Sequence, residues 1–361
     1  MSQLQKIDHI VVLMLENRSF DSLFGDLYPK SSSFEGLAGN EQNPDADGTP
    51  VVVWNSPGTD ETTMRIPNPD PGELWTDINT QLFSNSAPAS GQTPSMNGFV
   101  KNYLEQRQLN PQENYDPKSV MHYFTSDQAP VLSQLAKRFA VCDHWFASAP
   151  CQTWPNRWFV HAATADRHEN NNPPYFPDVP TIFNRLEEAG IDSWKIYFHD
   201  IAQAHTLLQL FLLGSHFQSY RQFQADCQTG QLPAYSFIEP QYFADFGHPE
   251  NDQHPPSVVT LGEQLIATST IVCEPARSGG NPCLLSPTMN MAAATITWRR
   301  RPRCRPNRHC RGRSLLSTVM ACAFPLSSCR PMWRPARSSA NQAGRHTITL
   351  QSSPPCANAS A

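Results

Sequence analysis

The chain has 361 residues, of which 39% are hydrophobic and 10% aromatic, and its formal net charge is −5. This composition can form one large core or two of ordinary size, which excludes a chain that is disordered throughout. Every apolar run is shorter than the roughly eighteen residues of a membrane-spanning helix, and we therefore expect no integral membrane segment.

The first 268 residues show alternating strand and helix patterns. Residues 10–15 form a continuous apolar run, typical of a strand covered on both faces in a parallel sheet. Residues 29–95 are rich in Pro, Asp, Asn, Gly and Ser and are predicted to be mostly irregular. Further helices are predicted from residue 20 and at 97–106, 130–139 and 156–163, and further strands at 141–146, 193–198 and 234–238. This order favours an α/β fold with a mostly parallel sheet flanked by helices.

Glu16 and Asn17 follow the first apolar run, at the edge of the sheet where α/β proteins bind ligands. A buried carboxylate needs a partner, and a metal ion would supply one. The alternative is a pair of helix-capping side chains.

Thr153 stands just before Pro155, at the predicted start of a helix. A hydroxyl at this position can be a simple N-cap. It can also be a nucleophile, because the amides at a helix start attract a phosphate and a nearby cation lowers the pKa of a hydroxyl.

His248 and His254 lie in a Pro-rich loop after the predicted strand 234–238. Histidines in loops are usually solvated. Two of them beside Asp252 are nevertheless candidates for a ligand or general-acid role.

Three segments together resemble the bacterial phosphoesterase family that includes phospholipase C and related acid phosphatases, within the alkaline-phosphatase-like superfamily. The first is Glu-Asn-Arg-Ser-Phe-Asp at 16–21, and the second is Thr-Trp-Pro-Asn-Arg at 153–157. The third combines Ser-Phe-Ile-Glu-Pro at 236–240 with His-Pro-Pro at 254–256. The resemblance covers residues 6–268 and implies an alkaline-phosphatase-like fold for a catalytic domain at 1–268.

The resemblance also implies roles for individual residues. Glu16, Asn17 and Thr153 would bind a divalent metal ion, and Thr153 would be the nucleophile. Asn17 and His254 would bind the substrate, with His254 on the phosphoryl or leaving-group oxygen. Many relatives have a histidine where this chain has Glu73, and this departure would alter the handling of the leaving group.

Residues 269–361 have a different composition. Only Glu274 among the 32 acidic residues lies after Ser269, whereas 13 arginines and seven of the ten cysteines do. The three cysteines of the preceding part, an odd number, give no disulfide framework. The eight arginines between Arg299 and Arg313 suit a basic arm that binds nucleic acid. A zinc site at Cys304, His309 and Cys310 is a weaker interpretation, because the spacing matches no closed four-ligand site.

A shift of reading frame is the third interpretation of this tail, since a basic arm normally contains lysine and few Cys, Trp or Met residues. The family's second metal-binding pair is an Asp-Glu in the motif DEHGG, followed by DH, and this chain lacks it. In the shifted frame, each codon consists of the last base of one residue's codon and the first two bases of the next residue's codon. Read in this way, residues 288–298 can spell DEHGGCYDHV. Later stretches read in this way permit a core strand and an amphipathic helix. We infer a one-base frame change near residues 267–270, followed by an out-of-frame tail at 269–361 with no predicted fold.

The sequence therefore predicts a hydrolase of phosphoric esters with a metal-activated threonine, inactive in the chain as it stands. The substrate would be a phosphate ester, with a phospholipid as one candidate. The alternative is a catalytically dead phosphoesterase body with a basic tail that binds nucleic acid, a partner that we do not expect. The N-terminus has no signal-peptide pattern, so we expect a cytoplasmic protein, with secretion or periplasmic export left open by an incomplete start.

Overall fold

The structure is a computed structural model that describes residues 7–245 and 247–272, and the backbone of 282–285. Its centre is a five-stranded parallel sheet in the order β5-β4-β6-β1-β7. The five strands are β1 (His9–Leu13), β4 (Trp194–Phe198), β5 (Phe217–Ser219), β6 (Tyr235–Ile238) and β7 (Pro282–Leu285). A separate antiparallel hairpin consists of β2 (Gln42–Pro44) and β3 (Pro50–Val52). The predicted α/β fold with a mostly parallel sheet is confirmed.

Helices pack on both faces of this sheet because β1, which lies between β6 and β7, is apolar on both sides. Val11 and Leu13 of β1 belong to one buried cluster, and Val12 belongs to the other. The described helices are α1 (Phe20–Phe24), α2 (Glu61–Met64), α3 (Trp75–Phe83), α4 (Phe99–Glu105), α5 (Pro130–Arg138), α6 (Thr153–Ala162), α7 (Ile182–Glu188), α8 (Leu208–Phe211), α9 (Tyr220–Thr229) and α10 (Val259–Val272). None of them is long and apolar enough to cross a bilayer.

Two local predictions differ from the structure. Residues 141–146 form no strand. Asp143 in this segment is buried and accepts a hydrogen bond from the Glu35 amide, so the segment packs as a loop rather than at a sheet edge. The stretch 29–95, predicted to be mostly irregular, contains the hairpin β2–β3 and helices α2 and α3. The hairpin turns at Asp45, whose carboxylate accepts from the amides of Asp47 and Thr49.

The predicted frame change falls within α10, which continues to Val272. Strand β7 also belongs to the segment predicted to be out of frame, and its backbone pairs with β1, with Leu285 opposite Val12. The arginine-rich stretch, the cysteine and histidine triplet and the frame-shifted motif lie outside the described residues.

Candidate active site

The candidate site lies at the carboxyl edge of the sheet, where four separate segments meet. The first segment follows β1 and carries Glu16 and Asn17, and the second is the start of α6 with Thr153. The third is the loop after β6 with His254, and the fourth is the irregular stretch before α3. Strands β1 and β6 are parallel neighbours, so the segments that follow them leave the sheet side by side.

Asn17 is the centre of the cluster. It is buried, and its backbone adopts a left-handed conformation with φ 38°. Its Oδ1 accepts a hydrogen bond of 3.0 Å from the Thr153 hydroxyl, and its Nδ2 donates to Glu73 Oε2 at 3.0 Å. The capping alternative does not apply, because α1 is capped by the side chain of Ser19.

Thr153 occupies the first turn of α6, while Gln152 is the N-cap residue. The Thr153 hydroxyl is buried and points to Asn17 instead of capping the helix. Asn156 fixes the preceding loop, because its side chain accepts from the amides of Ser148 and Ala149 and donates to the Cys151 carbonyl. Thr153, the candidate nucleophile, therefore lies at the start of a helix, and hydrogen bonds of Asn156 fix the loop that precedes this helix.

His254 contacts both ends of the cluster. Its Nδ1 lies 3.0 Å from Glu16 Oε2 and 3.1 Å from Asn17 Nδ2, and its Nε2 lies 3.2 Å from Asp70 Oδ2. Burial alone would lower the pKa of His254, but the charge of Asp70 and the hydrogen bonds to Asp70 and Glu16 raise it well above its ordinary value. The raised pKa favours the protonated ring, in which Nδ1 faces the Glu16 carboxylate and Nε2 faces the Asp70 carboxylate.

Arg157 joins α6 to the end of β1. The guanidinium is fully buried, and its Nε lies 3.3 Å from Glu16 Oε1. Its Nη2 donates to the main-chain carbonyls of Met14 and Leu15 at 3.0 and 3.2 Å. Thr153 and Arg157 are four residues apart, so they share one helical face. This face of α6 thus contacts Asn17 and Glu16 at the same time.

The carboxylates of the site titrate in opposite directions. Burial would raise the pKa of Glu16, but its hydrogen bond to His254 and the charge of Arg157 outweigh that effect and lower it. Burial raises the pKa of Glu73 to about 7, although the charge of His254 opposes this. Burial and the negative charge of Glu16 raise the pKa of Asp252 to about 8. The site thus concentrates more acidic groups than its cations neutralise.

A cavity of about 630 Å³ opens beside the cluster. Asp70 and Glu73, which both face His254, form part of its wall. Its remaining lining is mostly polar and includes Asn68, Asn110, Glu113 and Tyr115. The cavity therefore offers space for part of a substrate next to the two carboxylates that contact His254.

Two groups of side chains have the geometry of metal ligands. The ligand atoms of Glu16, Asp252 and His254 lie within 4.8 Å of one another, and so do those of Asp70, Glu73 and His254. The oxygens of Glu16, Asn17 and Thr153 are the donors that a hard divalent cation prefers. However, both Glu16 oxygens already bind Arg157 and His254. The described residues therefore fit such an ion in the kind of donor but supply too few free carboxylate oxygens.

The structure brings together all four residues that the sequence singles out, Glu16, Asn17, Thr153 and His254. His248 does not join them: it lies in an exposed turn that pairs with Asp245. Asp70 was not predicted as a contact of His254, because it lies in a Pro-rich stretch without periodicity. In the sequence, Asp70 could have been noticed only because it lies near Glu73, where this chain departs from the family pattern.

Comparison with known proteins places this geometry in context. A family model described as the Phosphoesterase family matches residues 7–273. Non-specific phospholipase C3 of Arabidopsis thaliana is 34% identical over 278 residues, which cover 73% of this chain and 51% of that protein. Non-specific phospholipase C6 of the same plant is 35% identical over 301 residues, which cover 81% of this chain and 52% of that protein.

A bacterial relative is more distant. Phospholipase C A of Mycobacterium tuberculosis (strain ATCC 25618 / H37Rv) is 26% identical over 303 residues, which cover 74% of this chain and 54% of that protein. The chain therefore spans about half the length of the curated relatives it matches.

Proposed function

Because this chain belongs to the phosphoesterase family, we propose that it derives from a phospholipase C-type hydrolase of phosphoric esters in which Thr153 is the nucleophile. One observation carries the proposal. The buried Thr153 hydroxyl donates to Asn17 Oδ1 at 3.0 Å, and the Asn17 amide lies 3.1 Å from the imidazole of His254. A nucleophile, a polar amide and a proton donor thus lie in one hydrogen-bonded series.

The reaction has two displacements. In the first, the Thr153 hydroxyl gives its proton to solvent and its oxygen forms a bond to phosphorus, the bond from phosphorus to the alcohol oxygen breaks, and His254 gives its proton to the leaving alcohol. In the second, water attacks phosphorus and gives a proton to the neutral His254. The bond from phosphorus to the Thr153 oxygen breaks, this oxygen takes a proton from solvent, and phosphate or a phosphomonoester is released. The amides in the first turn of α6 and the Asn17 amide stabilise the negative charge on the phosphoryl oxygens.

A divalent cation is part of this proposal. Glu16, Asn17 and Thr153 would hold it, and when bound it lowers the pKa of the threonine hydroxyl and offsets phosphoryl charge. The hydrogen bond to His254 and the charge of Arg157 lower the pKa of Glu16, and Arg157 fixes one of its oxygens. The acidic excess around His254 is consistent with a cation that the described residues alone cannot hold tightly.

The missing donors are proposed to lie in another reading frame. One observation supports a frame change near residues 267–270. The family match ends at residue 273, and Glu274 is the only acidic residue after Ser269. We therefore propose that the chain as it stands is inactive, with 1–268 as a truncated catalytic domain.

A dead phosphoesterase body with a nucleic-acid-binding tail is the alternative. The arginines between Arg299 and Arg313 support it. If this alternative is correct, the chain binds DNA or RNA with an affinity that falls steeply as the salt concentration rises. Removal of the tail would abolish this binding.

Hydrolysis of a chromogenic phosphodiester and a monoester tests the proposal. Both the present chain and a frame-corrected chain are assayed with added divalent metal and with chelator. We expect metal-dependent activity in the corrected chain only, and a loss of about 10³-fold or more in Thr153→Ala. Thr164→Ala, a threonine just beyond α6 and outside the cluster, is the matched control and should keep full activity. Activity of the present chain, or of Thr153→Ala, would refute the proposal.

A further inference from the structure

Arg18 is a buried cation next to Asn17 whose hydrogen bonds all cross to other segments. It is 1% exposed. Its Nε donates to the Gln253 carbonyl at 2.7 Å, its Nη1 to the Ile66 carbonyl at 2.5 Å and its Nη2 to the Ser257 carbonyl at 3.1 Å. These three bonds end on main-chain carbonyls rather than on carboxylates, so they fix the backbone instead of pairing charges.

The carbonyls belong to the two loops that carry the proton-handling side chains. Gln253 and Ser257 flank His254, and Ile66 leads into the stretch that carries Asp70 and Glu73. Neither loop is a helix or strand, so regular secondary structure does not fix the distance between them. The buried Arg18 guanidinium binds carbonyls of both loops and thereby constrains this distance.

The loop around His254 needs such support because its backbone is strained. Gln253 has φ 70°, a left-handed conformation that a residue other than glycine adopts only at a cost in free energy. Arg18 Nε binds the carbonyl of this same residue. The guanidinium lies over the Phe124 ring, 5.4 Å from its centroid, which holds the donor plane in place.

We propose that Arg18 is a positioning residue that holds His254 and Asp70 at the correct distance from Asn17 and Thr153. This inference rests on the proposed function, because the role of His254 as proton donor gives that distance its meaning. Lysine cannot replace Arg18, because one ammonium group cannot reach three carbonyls that are arranged around a planar fork.

Arg65 provides a matched control. Its Nη1 donates to the Pro256 carbonyl of the same loop at 3.1 Å, but its side chain is 35% exposed and pairs with Glu61. It therefore contacts the His254 loop without joining that loop to the end of β1.

The first experiment is a double-mutant cycle in the frame-corrected enzyme. Arg18→Lys should lower kcat for a phosphodiester by about tenfold or more, because lysine loses at least one charge-assisted hydrogen bond that Arg18 makes. Arg65→Lys should lower kcat by less than about threefold. In the His254→Ala background the Arg18→Lys effect should shrink to less than about threefold, because the residue it positions is absent. An undiminished Arg18→Lys effect in that background would overturn the proposal.

The second experiment needs no activity and uses the full present chain. Amide hydrogen exchange of Arg18→Lys is expected to accelerate about tenfold or more in peptides that cover residues 66–70 and 252–257, and to stay unchanged in β4 and β6. The same peptides should accelerate by less than about threefold in Arg65→Lys, because its contact with the Pro256 carbonyl comes from a partly exposed side chain. Equal acceleration everywhere would show a merely structural role, and no acceleration would show no role; either result overturns the proposal. If the corrected enzyme is inactive, the proposed function fails while this measurement still decides whether Arg18 holds the two loops.

Discussion

Substitution of Arg157 by methionine tests how the end of β1 is held. Methionine keeps most of the side-chain volume but removes the charge, the contact to Glu16 Oε1 at 3.3 Å and the bonds to the Met14 and Leu15 carbonyls. Both partners of the ion pair are buried. Breaking such a pair from one side costs about 3–5 kcal/mol, because the remaining charge stays buried without compensation.

The magnitude for this pair lies at the lower end of that range. His254 remains 3.0 Å from the other oxygen of Glu16 and continues to neutralise it. We therefore expect Arg157→Met to lower the free energy of unfolding by about 3 kcal/mol. Arg185→Met is the control: its arginine pairs with Glu188 on the surface, where both side chains are more than half exposed, and the cost should stay below about 1 kcal/mol.

Urea unfolding measures this effect. It is carried out on Arg157→Met, Arg185→Met, Glu16→Gln and the double variant of Arg157→Met with Glu16→Gln. Once Arg157 is gone, Glu16→Gln should cost about 1–2 kcal/mol less than in the parent chain, because it removes the uncompensated charge. If Arg157→Met costs no more than Arg185→Met, or if the two changes are additive, then Arg157 does not hold Glu16 as described.

Two further predictions concern groups that titrate. His254→Gln in the frame-corrected chain should lower kcat/KM, which reports the first displacement, by about 10²–10⁴-fold for an alkyl phosphodiester and much less for a nitrophenyl diester, because only the poor leaving group needs a proton. Equal losses of kcat/KM would refute the general-acid role. Burial raises the pKa of Glu263 to about 7 against an ordinary 4.5, although the amides of Leu132 and Val131 oppose it. The folded protein therefore holds this proton more tightly than the unfolded chain, and the resulting stability is complete below pH 4.5 and lost as the pH rises through 7. Glu263→Gln should remove up to about 3 kcal/mol of that pH dependence in urea unfolding between pH 4.5 and 8, whereas exposed Glu187→Gln should not change it.

The central sheet and the four singled-out residues could be predicted because each follows a strong local pattern. Glu16 and Asn17 follow a run that is apolar on every position, as a doubly covered strand requires. Thr153 stands two residues before a proline that suits the first turn of a helix. These patterns locate the carboxyl edge of the sheet, where the candidate site lies.

The remaining site residues could not be predicted, because their roles depend on contacts between distant segments. Asp70 meets His254 across 184 positions of sequence from an irregular stretch. Arg18 and Arg157 are charged residues that composition alone would place on the surface. They are buried because loop and strand carbonyls accept from their guanidinium groups, and these contacts exist only in the folded chain.

The covalent intermediate tests the account most directly. A frame-corrected chain is mixed with a phosphodiester and a divalent metal, quenched in acid within a turnover and digested for mass spectrometry. The account predicts a phosphate or phosphoester group on Thr153, absent in Thr153→Ala and unaffected by Thr164→Ala. Hydrolysis that proceeds at the full rate with no modified Thr153, or with the group on another residue, would contradict it.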